Sequence, residues 1–387
     1  MKLYKKYMIL FSLTLIVNPS LSFGIYLNPD LSTVRVYYTA HILAPDISFI
    51  KKIAERWNEK YSNIKGFKVK IIDIDRESLL FHILRSKNPN VDIVLVTNFN
   101  IGRLYKYLLR LDFYLNFTNI YPVALNSVRI NGNIYAMPFH AVFPILIYRR
   151  DFIKEAPQTW TDIFTTISKL KLQNISFPYG IAIYSLEGRH GGVVWQSIVE
   201  SIIGRKVNFS ALMNNASIAL NIYRKCIKLN YCDPNMFYYE FFKLNNIYEN
   251  NKVLMIIQWS YAIKYLLENM SSEYIGIAPL PVVKKGSSPI SRLYTVALAV
   301  SKFSAHKKES LEFIKYIIKN ETNIIIDYGG LPPFETLITN SSENEIIKNL
   351  YLIMKKYTKP ASNSPMSSYL YEELSKYVKW FLINKNN

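Results

Sequence analysis

The sequence predicts an α/β protein of more than one domain. At 387 residues the chain exceeds the size at which a single hydrophobic core stops growing, and two or three domains are expected. Its first hundred residues read strand, helix, strand, the order of a sheet covered by helices. Strands return late in the chain, so the domains need not be contiguous in sequence. Half of the residues are hydrophobic and 19% are charged, which excludes wholesale disorder and a fibrous protein.

Taken in order, Val34-Arg35-Val36-Tyr37-Tyr38 alternates like a strand. Pro45-Asp46 opens a stretch in which Ile50, Ile53, Ala54, Trp57 and Tyr61 recur at helical spacing. Residues 69–74 read as a second strand and 78–86 as a helix. The apolar run 91–96, bounded by Pro89 and Asn98, has the composition of a parallel strand covered on both faces. Thr159-Trp160-Thr161-Asp162 resembles a capping box, with Ile163, Phe164, Ile167 and Leu170 following on one face. Beyond it, 193–203, 211–229 and 261–269 read as helices, 275–279 and 296–300 as strands, and 307–319 as a helix. No internal repeat or low-complexity segment is present in the sequence.

At the N-terminus, Lys2, Lys5 and Lys6 precede the apolar stretch 7–17, and Ser20-Leu21-Ser22 supplies a small-x-small cleavage pattern. Residues 1–22 are read as a secretory signal. A stretch of eleven residues is too short for a membrane span, which needs about 20 apolar residues. No cysteine follows the stretch, so a lipid-modified cysteine is not expected. The apolar runs 253–267 and 138–148 are interrupted by polar residues or prolines, so no second span is expected.

The formal net charge is +19, and removal of the signal's three lysines and no acid leaves +16. Lys and Arg are spread thinly instead of gathered in a stripe, which argues against nucleic-acid binding and for a solvated basic surface. Such a surface could hold an exported protein near an anionic envelope or membrane surface. Asn-x-Ser/Thr sequons at Asn116, Asn174, Asn208, Asn215, Asn269, Asn320 and Asn340 fit an exported glycoprotein. Cys226 and Cys232 can close a local disulfide in an oxidising compartment, or remain free thiols. No His or further Cys lies nearby, so no metal site is expected there.

From Gly132 onward a series of motifs accumulates. Asn131-Gly132-Asn133-Ile134-Tyr135-Ala136-Met137-Pro138 follows G-x-x-Y-a-x-P, Leu146-Ile147-Tyr148-Arg149-Arg150-Asp151 follows l-x-Y-n-x-D, and Pro157-Gln158-Thr159-Trp160-Thr161-Asp162 follows P-x-T-W-x-E/D. Further on come Val253-Leu254-Met255-Ile256-Ile257-Gln258-Trp259, Ile275-Gly276-Ile277-Ala278-Pro279-Leu280-Pro281, Ala299-Val300-Ser301-Lys302 and Gly329-Gly330-Leu331-Pro332. In this order and spacing the chain resembles the family 1 extracellular solute-binding proteins of ABC importers, which include maltose- and oligosaccharide-binding proteins. It departs from the family pattern at Arg292-Leu293-Tyr294, where paired glycines are common, and at Gln258, where Gly or Pro is common.

The resemblance implies a type II periplasmic-binding-protein-like fold of two α/β lobes, a hinge of three crossovers and a central ligand cleft. The first lobe would contain 32–139 and 296–328, the second 143–292 and 332–387. The hinge would hold Phe139, Leu293, Gly329 and Gly330. It further implies a monomer without cofactor, a saccharide as ligand, ABC permease subunits as partners, no nucleic acid, and an extracellular or cell-surface location.

A sugar offers hydroxyls that need hydrogen-bond partners and C–H faces that need flat apolar contact. Trp259 is the first candidate stacking face by its family position, although spacing alone reads it as core after Met255, Ile256 and Ile257. Tyr294 and Tyr369 are further candidates. Strand ends and crossovers supply Asn98, His41 and His140, where ligands of α/β sheets sit. The glycine-rich segment 187–195, with Arg189, His190 and Trp195, reads as a loop that either meets the ligand or lies on the surface.

Rival classes remain. A secreted polysaccharide hydrolase finds no G-x-S-x-G or H-E-x-x-H motif, and Asp73 and Asp75 read as a solvated strand end. Ferric ion would need clustered tyrosines, but neighbours such as Tyr37-Tyr38 or Tyr238-Tyr239 point to opposite faces of a strand. A polyamine site would need carboxylates, whereas Arg292 and His140 near the expected pocket fit an anionic sugar or glycerol phosphate derivative better. Transport and sensing are not distinguished by sequence.

Overall fold

The computed structural model describes residues 33–39, 49–74, 76–175, 177–335 and 345–384. The expected signal segment, His41 and Asn340 lie outside them.

Strand β1 (Thr33–Tyr38) alternates buried and half-buried residues. Helix α1 (Phe49–Lys60) buries Phe49, Ile50, Ile53, Ala54 and Trp57 on one face. Then come β2 (Lys68–Asp73), α2 (Glu77–Arg85), β3 (Ile93–Thr97) and α3 (Asn98–Leu104). β3 is buried throughout and parallel to β1, as its unbroken apolar run predicts. Thr97 and Asn100 form a reciprocal capping box that starts α3 directly at the strand end.

A short hairpin, β4 (Arg129–Ile130) with β5 (Asn133–Ile134), precedes β6 (Met137–Val142) and β7 (Pro144–Arg149). Only Phe143 separates β6 from β7, yet they belong to different sheets. The second sheet adds β8 (Tyr179–Ile183), β9 (Val253–Trp259) and β10 (Ile275–Ala278), in the order β10-β7-β9-β8. Its helices include α4 (Trp160–Leu172), begun by the expected capping box of Thr159 and Asp162, α5 (Arg189–Ile203), α6 (Phe209–Lys228) and α7 (Ala262–Asn269).

Strand β11 (Ser291–Val300) carries the chain back. It is longer than the expected 296–300, because its first residues pair in parallel with β12 (Thr358–Pro360) while its last five pair antiparallel with β3. The first sheet therefore runs β12-β11-β3-β1-β2, with β6 on β11. Helices α8 (Lys307–Asn320), α9 (Glu345–Tyr357) and α10 (Ser367–Asn384) complete the chain. Two α/β lobes result, joined at β6–β7, at β11 and at Leu331, whose carbonyl accepts from Ala141 N at 3.0 Å. At this last crossing Gly329 has φ +83°, and a Cβ on Gly330 would fall 2.2 Å from His140 Nδ1. Neither position accepts a larger residue without displacement.

The segment 187–195 is not a loop. α5 begins at Arg189, and its glycines are the places where another backbone comes close: a Cβ on Gly192 would stand 2.0 Å from Tyr371 O of α10, and one on Gly191 2.1 Å from Leu186 O. Trp195 is consequently a helix residue in the second lobe's interior, edge-on to Tyr223 at 5.6 Å. Among the described residues no helix is long and apolar enough to cross a membrane.

Cys226 and Cys232 are disulfide-bonded, with Cα atoms 5.3 Å apart, and Cys232 bridges to Ile181 of β8. The bond fixes the end of α6 against the second sheet. Closing so short a loop stabilises by about 2 kcal/mol. Replacing both cysteines with serine is therefore expected to lower stability by about that amount in urea titrations; an unchanged midpoint would contradict this role.

Candidate functional site

Four strand ends meet where the lobes face each other, the position at which ligands of α/β sheets gather. β3 delivers Phe99, β8 delivers Tyr184 and Ser185 and then the start of α5, β9 delivers Trp259, and β11 passes between them with Tyr294. Their rings form a continuous cluster. Phe99 lies 4.9 Å from Tyr294 and 5.7 Å from His190 between ring centroids, and 5.5 Å from Tyr371 of α10. His190 in turn lies 6.0 Å from Tyr294 and 6.4 Å from Trp259, and Trp259 lies 6.3 Å from Tyr294. Phe99 belongs to the first lobe and His190, Trp259 and Tyr371 to the second, so the cluster spans the interlobe seam.

Trp259 is fully buried, yet its neighbours reach Phe99 across the seam; it stands at the boundary of the second lobe and not in the middle of it. Several polar atoms of this cluster lack partners among the described residues. Trp259 Nε1 and His190 Nε2 are buried without a hydrogen-bond partner among the described residues. Tyr294 Oη lies near Thr97 but also completes no hydrogen bond. Thr39 Oγ1 at the end of β1, Ser185 Oγ at the end of β8 and Thr295 Oγ1 on β11 share this condition. Each such atom costs about 1–3 kcal/mol when left unmade, so several at the ends of β1, β8 and β9 and on β11 call for a hydrogen-bonding partner.

The fixed charge at the cluster is paired. Burial, reinforced by Arg189, holds the His190 imidazole well below its ordinary range, and burial pushes the Tyr294 hydroxyl up. Both are neutral near pH 7. Arg189 Nη1 contacts Glu77 Oε2 of α2 at 2.5 Å, with its guanidinium over the Phe99 ring at 5.1 Å. Arg292, on β11, is bound at both ends of its guanidinium: Nε donates to Glu200 Oε2 at 2.6 Å, Nη2 to Glu200 Oε1, and Nη1 to Pro360 O at 2.8 Å. The expectation of a free Arg292 cation is thus corrected. Its charge is matched inside the second lobe, because an unpaired buried guanidinium would be prohibitively costly. His140 supplies no cation either, since burial lowers it to about 4.

The other candidates divide. His140 sits on β6 behind the seam, packed against Gly330 and tilted on Phe49 at 6.4 Å. Asn98 is fully committed: its Oδ1 accepts from Thr295 N at 2.6 Å and its Nδ2 donates to Ala361 O at 3.2 Å, so it is a tie between strands instead of a ligand donor. Tyr369 is 54% exposed and outside the cluster; Tyr371, two residues on, occupies the place expected for it. Trp195 and Arg189 are accounted for above. Phe139 is buried edge-on to Phe49, and Leu293 pairs with Pro360. Phe99, Tyr184, Ser185 and Tyr371 were not singled out from sequence, since β8 was not read as a strand and one ring among 30 tyrosines carries no signal. A cavity of about 470 Å³ flanks the cluster beside Tyr371, lined by Asn126 and Arg129 of the first lobe and Gln196 and Leu370 of the second.

Two α/β lobes with aromatic rings and unpartnered polar atoms at their seam define a solute-binding protein. Residues 52–349 match the model of the family described as bacterial extracellular solute-binding protein, and the chain belongs to that family. A Deinococcus radiodurans protein named as a probable ABC transporter-binding protein is 23% identical over 290 residues, covering 69% of this chain and 68% of its own. An ABC transporter extracellular-binding protein of Pyrococcus horikoshii is 22% identical over 302 residues, 70% of this chain and 66% of that relative, just under two thirds of it. Among solved structures, maltose-bound T. maritima MalE3 aligns with TM-score 0.72 at 18% identity, covering 91% of this chain and 95% of that one. MalE of Xanthomonas citri aligns at 0.74 and 15%, covering 92% and 93%. A solute-binding protein of Agrobacterium radiobacter in complex with ribitol aligns at 0.70 and 18%, covering 90% and 93%. These likenesses establish the fold.

Two outcomes follow for stability. The unfolded chain protonates His140 near its ordinary 6.5, whereas the folded chain resists until about 4. The unfolded state therefore binds more protons in that window, and stability, complete above it, falls as pH drops from about 6.5 toward 4. His140→Gln is expected to flatten the melting temperature against pH across this window; a wild-type profile already flat there would contradict it. Arg292→Met strands Glu200 and is expected to cost about 3–5 kcal/mol by denaturant unfolding; a loss below about 1 kcal/mol, the range of exposed pairs, would contradict the buried pairing.

Proposed function

We propose that this protein captures a neutral polyhydroxylated solute, a sugar or polyol, in the cleft between its lobes and delivers it to the permease of an ABC importer. The observation that carries this reading is the set of neutral, unpartnered donors and acceptors on Trp259, His190 and Ser185 of the second lobe, Tyr294 of β11 and Thr39 of the first lobe. Trp259 and Tyr294 supply flat apolar surface for C–H faces, and their Nε1 and Oη, with His190, Ser185 and Thr39, supply partners for hydroxyls. The proteins of like fold crystallised with maltose, α-D-tagatose and ribitol hold ligands of this neutral kind. With Arg292 and His140 neutralised, an anionic sugar phosphate loses the cations that favoured it.

In this reading the first lobe comprises 32–139 with 296–328 and the second 143–292 with 332–387, and the chain bends at Phe139, Leu293, Gly329 and Gly330. Contacts from both lobes form together only when the cleft shuts. Ligand therefore shifts an open–closed equilibrium by its difference in affinity for the two states, and the permease recognises the shut form. No bond is made or broken. Residues 1–22 direct export, exposed sequons such as Asn116 and Asn269 carry glycans, and the basic surface keeps the protein at the envelope.

A thermal-shift screen tests the reading, because ligand at 100 times its Kd adds about 2.7 kcal/mol to the native state. A neutral saccharide or polyol is expected to raise the melting temperature more than its phosphate ester does, and Trp259→Ala is expected to abolish the response. No response to a broad panel, or an undiminished response in Trp259→Ala, would overturn it.

A further inference from the structure

We infer that Arg189 and Glu77 form a latch between the lobes that sets how readily the cleft shuts, with Arg189 acting as a positioning residue and not as a ligand contact. This rests on the reading of the cleft as a closing site, and it concerns the closure itself.

Glu77 is the first residue of α2 in the first lobe, and Arg189 the first residue of α5 in the second. Arg189 reaches two residues of the opposite lobe at once, the Glu77 carboxylate at 2.5 Å and the Phe99 ring at 5.1 Å. Arginine's flat guanidinium suits this double duty, pairing along its edge while stacking through its face. The side chains of the pair are 20% and 28% exposed, so solvent screens the contact only in part.

The mounting on each side is stiff. Gly188, immediately before Arg189, has φ +133°, a backbone state reserved for glycine, and its N donates to Ser375 Oγ of α10 at 2.9 Å. Gly191 and Gly192 press the same turn against Leu186 O and Tyr371 O. Arg189 thus cannot follow Glu77 if the lobes part. On the other side, Glu77 lies in the first turn of α2, where the helix dipole favours a carboxylate. The latch is therefore made in the shut form and lost in the open form, which is the condition for biasing a two-state equilibrium. Arg189 adjoins His190 of the ring cluster, so making the latch also seats an imidazole among the ligand-facing rings.

The test is a pulsed electron-spin distance measurement between labels on the exposed positions Ser86 and Lys243, one on each lobe, in wild type and in Arg189→Gln, Glu77→Gln and Arg189→Lys. Each is measured alone and with maltose, D-tagatose or ribitol. Wild type is expected to populate the short, shut distance without ligand. Either glutamine variant is expected to lower the shut-to-open ratio about tenfold, and the lysine, which keeps the charge and loses the stacking, to fall between. Unfolding midpoints of the variants within error of wild type exclude general damage. A wild type wholly open without ligand, or glutamine variants with an unchanged ratio, would overturn the latch. Failure of the sugar reading looks different: the glutamine variants still open relative to wild type, but no compound restores their short distance.

Discussion

The strand Ser291–Val300 is hydrogen-bonded to β12 through Ser291, Arg292 and Leu293 and to β3 from Val296 onward. Tyr294 and Thr295 fall between these two stretches and pair there with β6, opposite Val142 and Ala141. The break between the two stretches leaves backbone groups to be satisfied by other means. Asn98 does so, accepting from Thr295 N and donating to Ala361 O. The Tyr294 ring sits at this point of the seam, with the rings of Phe99, His190 and Trp259 around it. The hinge, the cleft and the meeting of the four strand ends all depend on this one strand serving both lobes.

Much of this was legible in sequence because it was local. The capping box at Thr159, the unbroken apolar run before Asn98 and the helical spacing around Trp57 each reflect a period or a cap that a few residues define. The ordered motifs pointed to Trp259, and the expected second crossover pointed to Tyr294, although its segment departs from the family pattern. What was not legible depends on contacts between distant segments. The glycines at 191 and 192 read as loop signals, but Gly191 makes room for Leu186 O of the preceding turn and Gly192 for Tyr371 O of α10, nearly two hundred residues away. Asn98 read as a strand-end donor until its two partners, Thr295 and Ala361, took up both ends of its amide. Tyr369 and Tyr371 differ by two positions on a helix, and only packing against Phe99 separates them.

Charge followed the same division. Formal charge is readable at once, but pairing is not, and the +19 of the chain says nothing about which cations are spent. At the seam and behind it, arginines at 189 and 292 are each matched by a glutamate, and the imidazoles of His140 and His190 are held neutral. A cleft lined by rings, hydroxyls and neutral nitrogens discriminates by shape and hydrogen bonding instead of by charge. In the proposed reading the polar atoms left without protein partners here serve a solute, and the lobes are joined twice in the shut form, through the ligand and through the latch.

Hydrogen–deuterium exchange with and without a saturating neutral sugar or polyol tests the central claim most directly, since it reads both lobes in one experiment. Slowed exchange is predicted together in the turns after β3, β8 and β9, including Phe99, Ser185 and Ser260, and along the middle of β11. Slowing confined to one lobe, or at the surface away from Tyr294, would contradict a solute held across the seam.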